Sequence, residues 1–296
     1  MSISTVAVVG CGMMGRGIME VSAVAGLNVK GIKLTPGDLS GPKGAVEKSL
    51  ARRVKKGKMT QDEADAVLGR IEFTSELSAV ADADLVVESV VEVEETKVKL
   101  LTDLEGHMHP EAVLGSNTSS LRLEVIAGKL KRPKNFVGLH FFSPVPAMAL
   151  VELGAIGDTA DFAIEKSRAF CEKIGKTAVE VKSSPGYVVN RLLVPYLLHG
   201  ISTLESGIAS AESIDNAMKL GCAHPMGPLA LSDLIGLDVV RAMAETLRKE
   251  LDDPRYEMPP TLVQLTDAGE LGRKSGKGIF DYSGDAPALN PSIKIG

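Results

Sequence analysis

The sequence predicts an α/β domain built on a parallel sheet, followed by an all-α domain. Three observations carry this. Strand-length and helix-length apolar segments alternate through the first half of the chain. A glycine-rich turn joins the first strand to the first helix near residue 10. At SSPGY (residues 183–187) the texture changes, and helical spacing dominates from there on.

Residues 6–10 (VAVVG) are a β-branched run of strand length, and residues 13–25 have helical length and stop at Gly26. A second strand is expected over 28–34, although Gly31 and two lysines interrupt it; Pro36, Gly37, Gly41 and Pro42 then mark a loop. Helices follow around 45–56 and 61–70. The second opens with a capping box, Thr60 as N-cap and Glu63 three residues on. ADLVVESVV (83–91) is a near-continuous apolar run, as a parallel strand buried on both faces requires. A helix over 94–104, a strand at AVLGSN (112–117) and a helix at LEVIAGKL (123–130) come next. NFVGLHFF (135–142) and ALVEL (149–153) read as strands, 160–174 as helix, and TAVEVK (177–182) closes the half. Beyond it, helices are expected over 188–206, 211–220, 228–250 and 261–268, with one strand at GIFDY (278–282).

Of 296 residues, 44% are apolar and 24% charged, a composition that buries a full core in a soluble protein. A net charge of -5 argues against nucleic acid as a partner. The apolar runs are strand-sized and broken by charges, so no membrane span is expected. MSISTVAVVG enters a strand with no basic n-region or cleavage site, so no signal peptide is expected either. Cys11, Cys171 and Cys222 form no CxxC pair; the odd count favours a reducing, cytoplasmic setting and offers no metal site.

Gly10-Cys11-Gly12-Met13-Met14-Gly15 fits GxGxxG between a strand and a helix. The first glycine permits the tight turn, the second lets the backbone approach a pyrophosphate, and the third lets helix pack on strand; the pyrophosphate sits against the helix N-terminus. A glycine-rich turn without a ligand would show the same letters. The context favours a dinucleotide held by Gly10, Gly12, Met14 and Gly15, which makes residues 1–184 a Rossmann-like domain and 185–296 the helical one. About 20 residues past such a turn an Asp or Glu normally accepts hydrogen bonds from the ribose of NAD. Here the chain has Lys33. A lysine attracts a 2′-phosphate, and a charge-assisted bond of roughly 1.5–3 kcal/mol is worth about one to two decades of preference for NADP(H). The alternative is a Lys33 that points to solvent. Taken singly, His140, Glu152, SNTSS (116–120), Asn190 and the basic RRVKKGK (52–58) all have structural readings.

Together with GCGMMGRGI, DLVVESVVE, SNTSSL, GLHFFSPVP, VEL, PGYVVNRLL, AMKLGCAHPMGPLALSDLIGLD and AGELGRKSGKGIFDY, they make the chain resemble one family from residue 6 to about residue 282. It is the (S)-3-hydroxyacyl-CoA dehydrogenase family, in its short 3-hydroxybutyryl-CoA dehydrogenase form. The resemblance implies that His140 is the general base, oriented through its other nitrogen by Glu152. It implies that Ser119 bonds the reacting oxygen and that Asn190 completes the substrate site, in the cleft between the domains. Glu92, Lys97 and Asn117 are implied to line the nicotinamide end of an NAD(H) or NADP(H) pocket, and Ser49 and Lys56 to hold the CoA moiety. A homodimer through the helical half is implied as well. Two departures stand out: Lys33 where most of the family has Asp, and Ser143 where Asn is usual. An acyl group tethered to acyl carrier protein remains an alternative substrate. A structural protein, like the lens crystallins related to the family, is the non-catalytic alternative; the set Ser119, His140, Glu152 and Asn190 weighs against it.

Overall fold

In the computed structural model, which describes residues 3–35 and 37–293, the first apolar run becomes β1 (Thr5–Val9), followed by α1 (Met13–Val24) and β2 (Asn28–Ile32). Then come α2 (Ser40–Lys55), α3 (Gln61–Gly69), β3 (Ile71–Thr74), β4 (Leu85–Glu88), α4 (Glu94–His107), β5 (Val113–Ser116) and α5 (Leu123–Ala127). β6 (Phe136–Phe141), β7 (Leu150–Ala155), α6 (Asp161–Lys173) and β8 (Thr177–Lys182) complete an eight-stranded sheet in the order β3-β2-β1-β4-β5-β6-β7-β8. All neighbours are parallel except β6 and β7. β1 lies between β2 and β4, so the strand order reverses there, the place where open α/β sheets bind ligands.

β1 explains why the sheet is covered on both sides. Val6 and Val8 belong to one core with Ile18 and Met19 of α1 and Phe170 of α6. Ala7 and Val9 face the opposite way, into a second core with Leu100, Leu101 and Leu104 of α4.

The chain divides into two compact units, Met1–Tyr187 and Val188–Gly296. The second is built from α7 (Val189–Glu205), α8 (Ala211–Gly221), α9 (Pro228–Ile235), α10 (Leu237–Leu251) and α11 (Pro260–Asp267), with the short pair β9 (Phe280–Asp281) and β10 (Ala288–Leu289). Val194, Leu197, Leu198 and Ile201 form the buried stripe of α7. Pro195 interrupts that helix and supplies no N–H to the Arg191 carbonyl; the Tyr256 hydroxyl donates to it instead, at 3.3 Å. Asp233 of α9 accepts from Ile279 N (2.8 Å), Phe280 N (2.8 Å) and Tyr282 Oη (2.9 Å), which ties the C-terminal segment to the helices. Burial raises its carboxyl above the ordinary value, with those donors opposing. No helix among the described residues is long and apolar enough to cross a membrane.

Three expectations change. The loop expected from Pro36 to Pro42 ends early: α2 starts at Ser40 and takes Pro42 into its first turn, where no backbone N–H is needed; Pro36 itself lies outside the described residues. The helix expected over 228–250 is two helices, broken at Gly236, whose φ of +104° a side chain rarely adopts. β3 was not expected at all. The capping box on α3 is present, Thr60 Oγ1 accepting from Glu63 N and Glu63 from Thr60 N, a cap worth about 1 kcal/mol.

Candidate active site

The glycine turn sits at the strand-order reversal. Gly10 has φ +108° and donates its N–H to Ile32 O at 2.9 Å, so the turn is tied to the end of β2. A Cβ on Gly10 would collide with the Ser89 carbonyl, and one on Gly15 with the Gly10 carbonyl. A Cβ on Gly12 would meet nothing within 4 Å. Each glycine thus has its own reason: a strained turn, an open approach, and a helix packed against the turn. Gly12 is the N-cap of α1, with no side-chain cap bond and no acid in the first turn, so the helix keeps donors for an anion. Met14 packs against the first core. A dinucleotide pyrophosphate fits this cradle.

Lys33 follows β2 directly, its N–H bonded to Thr74 O at 2.9 Å. Its ammonium curls back onto its own loop and donates to Thr35 O (2.7 Å) and Gly37 O (3.4 Å). It also borders the turn: burial raises the Cys11 thiol, while the charges of Lys33 and Arg16 pull the other way.

At the ends of β4 and β5 lies a buried polar network. Glu88 and Lys97 are 0% exposed and paired at 2.7 Å. Glu88 also accepts from Ser116 Oγ (2.6 Å) and Val90 N (2.7 Å). Lys97 lies 3.2 Å from Glu92, whose side chain is 33% exposed. One Glu92 oxygen accepts from Thr118 Oγ1 (2.6 Å), Ser119 N (2.9 Å), Ser120 N (3.1 Å) and Ser120 Oγ (3.0 Å). Burial opposes ionisation of Glu92, but Lys97 and these donors prevail and hold its carboxyl below the ordinary value. The carboxylate thereby fixes the backbone of the loop that carries Ser119. Of the residues expected at the nicotinamide end, Glu92 and Asn117 are partly open. Lys97 stands behind Glu92, fully buried. The Asn117 amide is used on both sides, accepting from Phe141 N (2.8 Å) and donating to Ser89 Oγ (3.2 Å), so it joins the loop to β6.

His140 and Glu152 are placed by the one antiparallel junction. They are direct partners in the β6–β7 register, so both side chains leave the same face of the sheet. His140 Nδ1 lies 2.7 Å from Glu152 Oε2, with the residues 6% and 1% exposed. A carboxylate only accepts, so Nδ1 carries the proton and Nε2 is left for chemistry. The imidazole is flanked by Phe142, at 4.5 Å between ring centroids, and Tyr187, at 5.5 Å.

Ser49 and Lys56 lie seven positions apart on α2 and its C-cap, close to two helical turns, so they share a face. Lys56 is exposed at the end of a last turn holding Arg52, Arg53 and Lys55. Part of the basic run is structural, because Arg53 reaches the buried Glu20 at 3.4 Å. Asn190 is in the first turn of α7, in the second unit. Ser143 is exposed just past β6. Sequence reasoning gave no role to Glu88 or Tyr187 and named Ser116 only within SNTSS. Glu88 had a visible signal, an acid inside an apolar strand.

Two family profiles match the chain. The 3-hydroxyacyl-CoA dehydrogenase NAD binding domain covers residues 5–184, and the C-terminal domain of the same family covers residues 186–282. A 3-hydroxybutyryl-CoA dehydrogenase of Mycobacterium tuberculosis is 42% identical over 283 residues, 95% of this chain and 99% of that protein. A probable 3-hydroxybutyryl-CoA dehydrogenase of Deinococcus radiodurans is 44% identical over 275 residues, 93% of this chain and 99% of its own length. The crystal structure of the (S)-3-hydroxybutyryl-CoA dehydrogenase PaaH1 from Ralstonia eutropha superimposes with a TM-score of 0.90 at 41% identity, covering 96% of this chain and 100% of that one.

Proposed function

Because the chain belongs to the 3-hydroxyacyl-CoA dehydrogenase family, we propose that it interconverts an (S)-3-hydroxyacyl-CoA and the 3-oxoacyl-CoA, with hydroxybutyryl and acetoacetyl as the acyl groups. The observation that carries this is the buried His140–Glu152 pair at 2.7 Å, beside a serine loop held by Glu92. In oxidation, His140 Nε2 takes the substrate hydroxyl proton. Glu152, already on Nδ1–H, stabilises the imidazolium that forms. In reduction the same proton returns to the oxygen. Ser119 donates to that oxygen as charge builds on it, a contribution that needs the loop fixed in advance. For Asn190 the reading keeps the role the resemblance implies, a contact to substrate.

A bound nicotinamide dinucleotide supplies the hydride acceptor or donor. Gly10, Gly12, Gly15 and the first turn of α1, with Met14, would hold its pyrophosphate, and Glu92 would meet its nicotinamide end. The finer reading is a preference for NADP(H). What supports it is a lysine in place of an acid at the end of β2, with Arg16 adding positive charge beside the same turn. Ser49, Lys56 and the basic end of α2 supply the cations and donors that a phosphate-rich CoA requires. A homodimer through the second unit is part of the proposal; the exposed Leu192, Ile208 and Leu220 supply apolar surface for it. So is a cytoplasmic setting, with three free cysteines.

The test is oxidation of NADPH and of NADH followed at 340 nm with acetoacetyl-CoA. Turnover with NADPH preferred at least tenfold is the expected result. Turnover with NADH preferred keeps the reaction and removes Lys33 as the reader of the 2′-phosphate. Activity with acetoacetyl-acyl carrier protein alone changes the carrier. No turnover with any of them overturns the reading.

A further inference from the structure

Tyr187 ends the first unit in a conformation that side chains rarely adopt, with φ +45°. Neighbouring hydrogen bonds hold it there. Gly186 N donates to Ser119 O at 3.0 Å, and Tyr187 N donates to Ser184 O at 3.0 Å. The segment is therefore fastened to the serine loop through its backbone.

The side chain goes into a slot that two glycines open. Gly138 of β6 and Gly154 of β7 are direct partners in the antiparallel register, two positions along from His140 and Glu152 and so on the same face. A Cβ on Gly138 would collide with the Tyr187 hydroxyl, and one on Gly154 would lie 2.8 Å from Cε1 of its ring. The tyrosine fills this space, is 3% exposed, and lies stacked on the His140 imidazole at 5.5 Å with 25° between the planes.

Its hydroxyl is buried and has no hydrogen-bond partner among the described residues. Burial above all, then the carboxylates of Glu92, Glu152 and Glu124, push its pKa up, so it stays a neutral phenol. A buried hydroxyl without a partner adds nothing to the placement of its neighbours. The flat ring does.

We infer that Tyr187 is a positioning residue for His140, and that it acts through its ring: with Phe142 it fixes the imidazole plane so that the Glu152 bond and the Nε2 lone pair are both in register. This rests on the proposed role of His140 as the base. A single hydrogen bond at Nδ1 leaves the ring free to swing about that bond, and a packed aromatic face removes the freedom. Misplacing a reacting group by about 1 Å costs on the order of 10²-fold in rate.

The experiment compares Tyr187→Leu and Tyr187→Phe by kcat, KM for acetoacetyl-CoA and cofactor Kd from NAD(P)H fluorescence. The expected result is a kcat at least tenfold lower for Tyr187→Leu, with KM and Kd changed by less than threefold, and recovery of that kcat by Tyr187→Phe. Gly138→Ala is a second handle that keeps Tyr187 itself unsubstituted. Its methyl group displaces the hydroxyl, so kcat falls, and Tyr187→Phe in the same chain restores it. If Tyr187→Leu does not fold, this pair decides. Wild-type kcat in Tyr187→Leu, a loss that falls on KM and Kd instead, or no recovery by phenylalanine overturns the inference. His140→Gln is the control: if it turns over normally, the role of His140 has failed, and the packing argument is not what was wrong.

Discussion

The two ends of the first unit's site are built in different materials. The glycine turn after β1 is made of backbone: Gly10 and Gly15 exclude a Cβ, Gly12 is open, and no side chain caps α1. The far end is made of side chains that brace one another: Glu88 with Lys97, Lys97 with Glu92, Glu92 with the serine loop, and Glu152 with His140. A backbone cradle recognises a pyrophosphate whatever the rest of the cofactor carries, so the proposed NADP(H) preference turns on one changeable residue, Lys33. A proton-transfer group must sit within a fraction of an ångström, and there each side chain is held by another.

The largest effect should come from breaking the side-chain end. Glu152→Ala removes the partner of Nδ1 and leaves the imidazolium without its carboxylate. A fall in kcat of about 10²–10⁴-fold is expected, with cofactor Kd unchanged by fluorescence titration. Breaking the backbone end should separate the two the other way. Gly15→Ala puts a methyl group into the Gly10 carbonyl; cofactor Kd should rise by more than tenfold, about 1.4 kcal/mol or more, while the near-ultraviolet spectrum of the second unit's tyrosines stays the same.

Lys33→Asp is the milder change. If the loop carbonyls release the ammonium to a 2′-phosphate, the ratio of kcat/KM for NADPH over NADH should drop by about one to two decades. An unchanged ratio would leave Lys33 as a clasp of its own loop. The smallest effect is one of pH. Glu92 has its folded pKa below its unfolded one, so its contribution is complete above the ordinary carboxylate range and is lost as pH falls through the lower, folded value. Protection of the Ser119 and Ser120 amides, measured against their intrinsic exchange rates, should therefore fall only in acid, and Glu92→Gln should remove that acid dependence.

Much of the fold could be read before any coordinates. β1, α1, β4 and β6 carry apolar runs long enough to announce themselves, and Thr60 with Glu63 marks a helix start. β3 escaped because IEFT is four residues long with two apolar ones, too short for a period to show. The break between α9 and α10 hides in a single glycine inside an unbroken helical pattern. For the site, the glycine turn was legible from its own spacing. His140 and Glu152 were not, because twelve residues separate them in sequence and only the antiparallel turn of the chain makes them partners. They were found by family resemblance. Tyr187 was harder still: its place depends on Gly138 falling opposite Gly154, a matter of register that one strand's sequence does not contain.

The central claim is that His140 moves the proton of a 3-hydroxyacyl-CoA dehydrogenase. The most direct measurement is kcat for acetoacetyl-CoA reduction by His140→Gln beside the wild type, with cofactor Kd measured on both. The account predicts a loss of at least about 10²-fold in kcat with Kd unchanged. Near-normal turnover by the glutamine variant would contradict it.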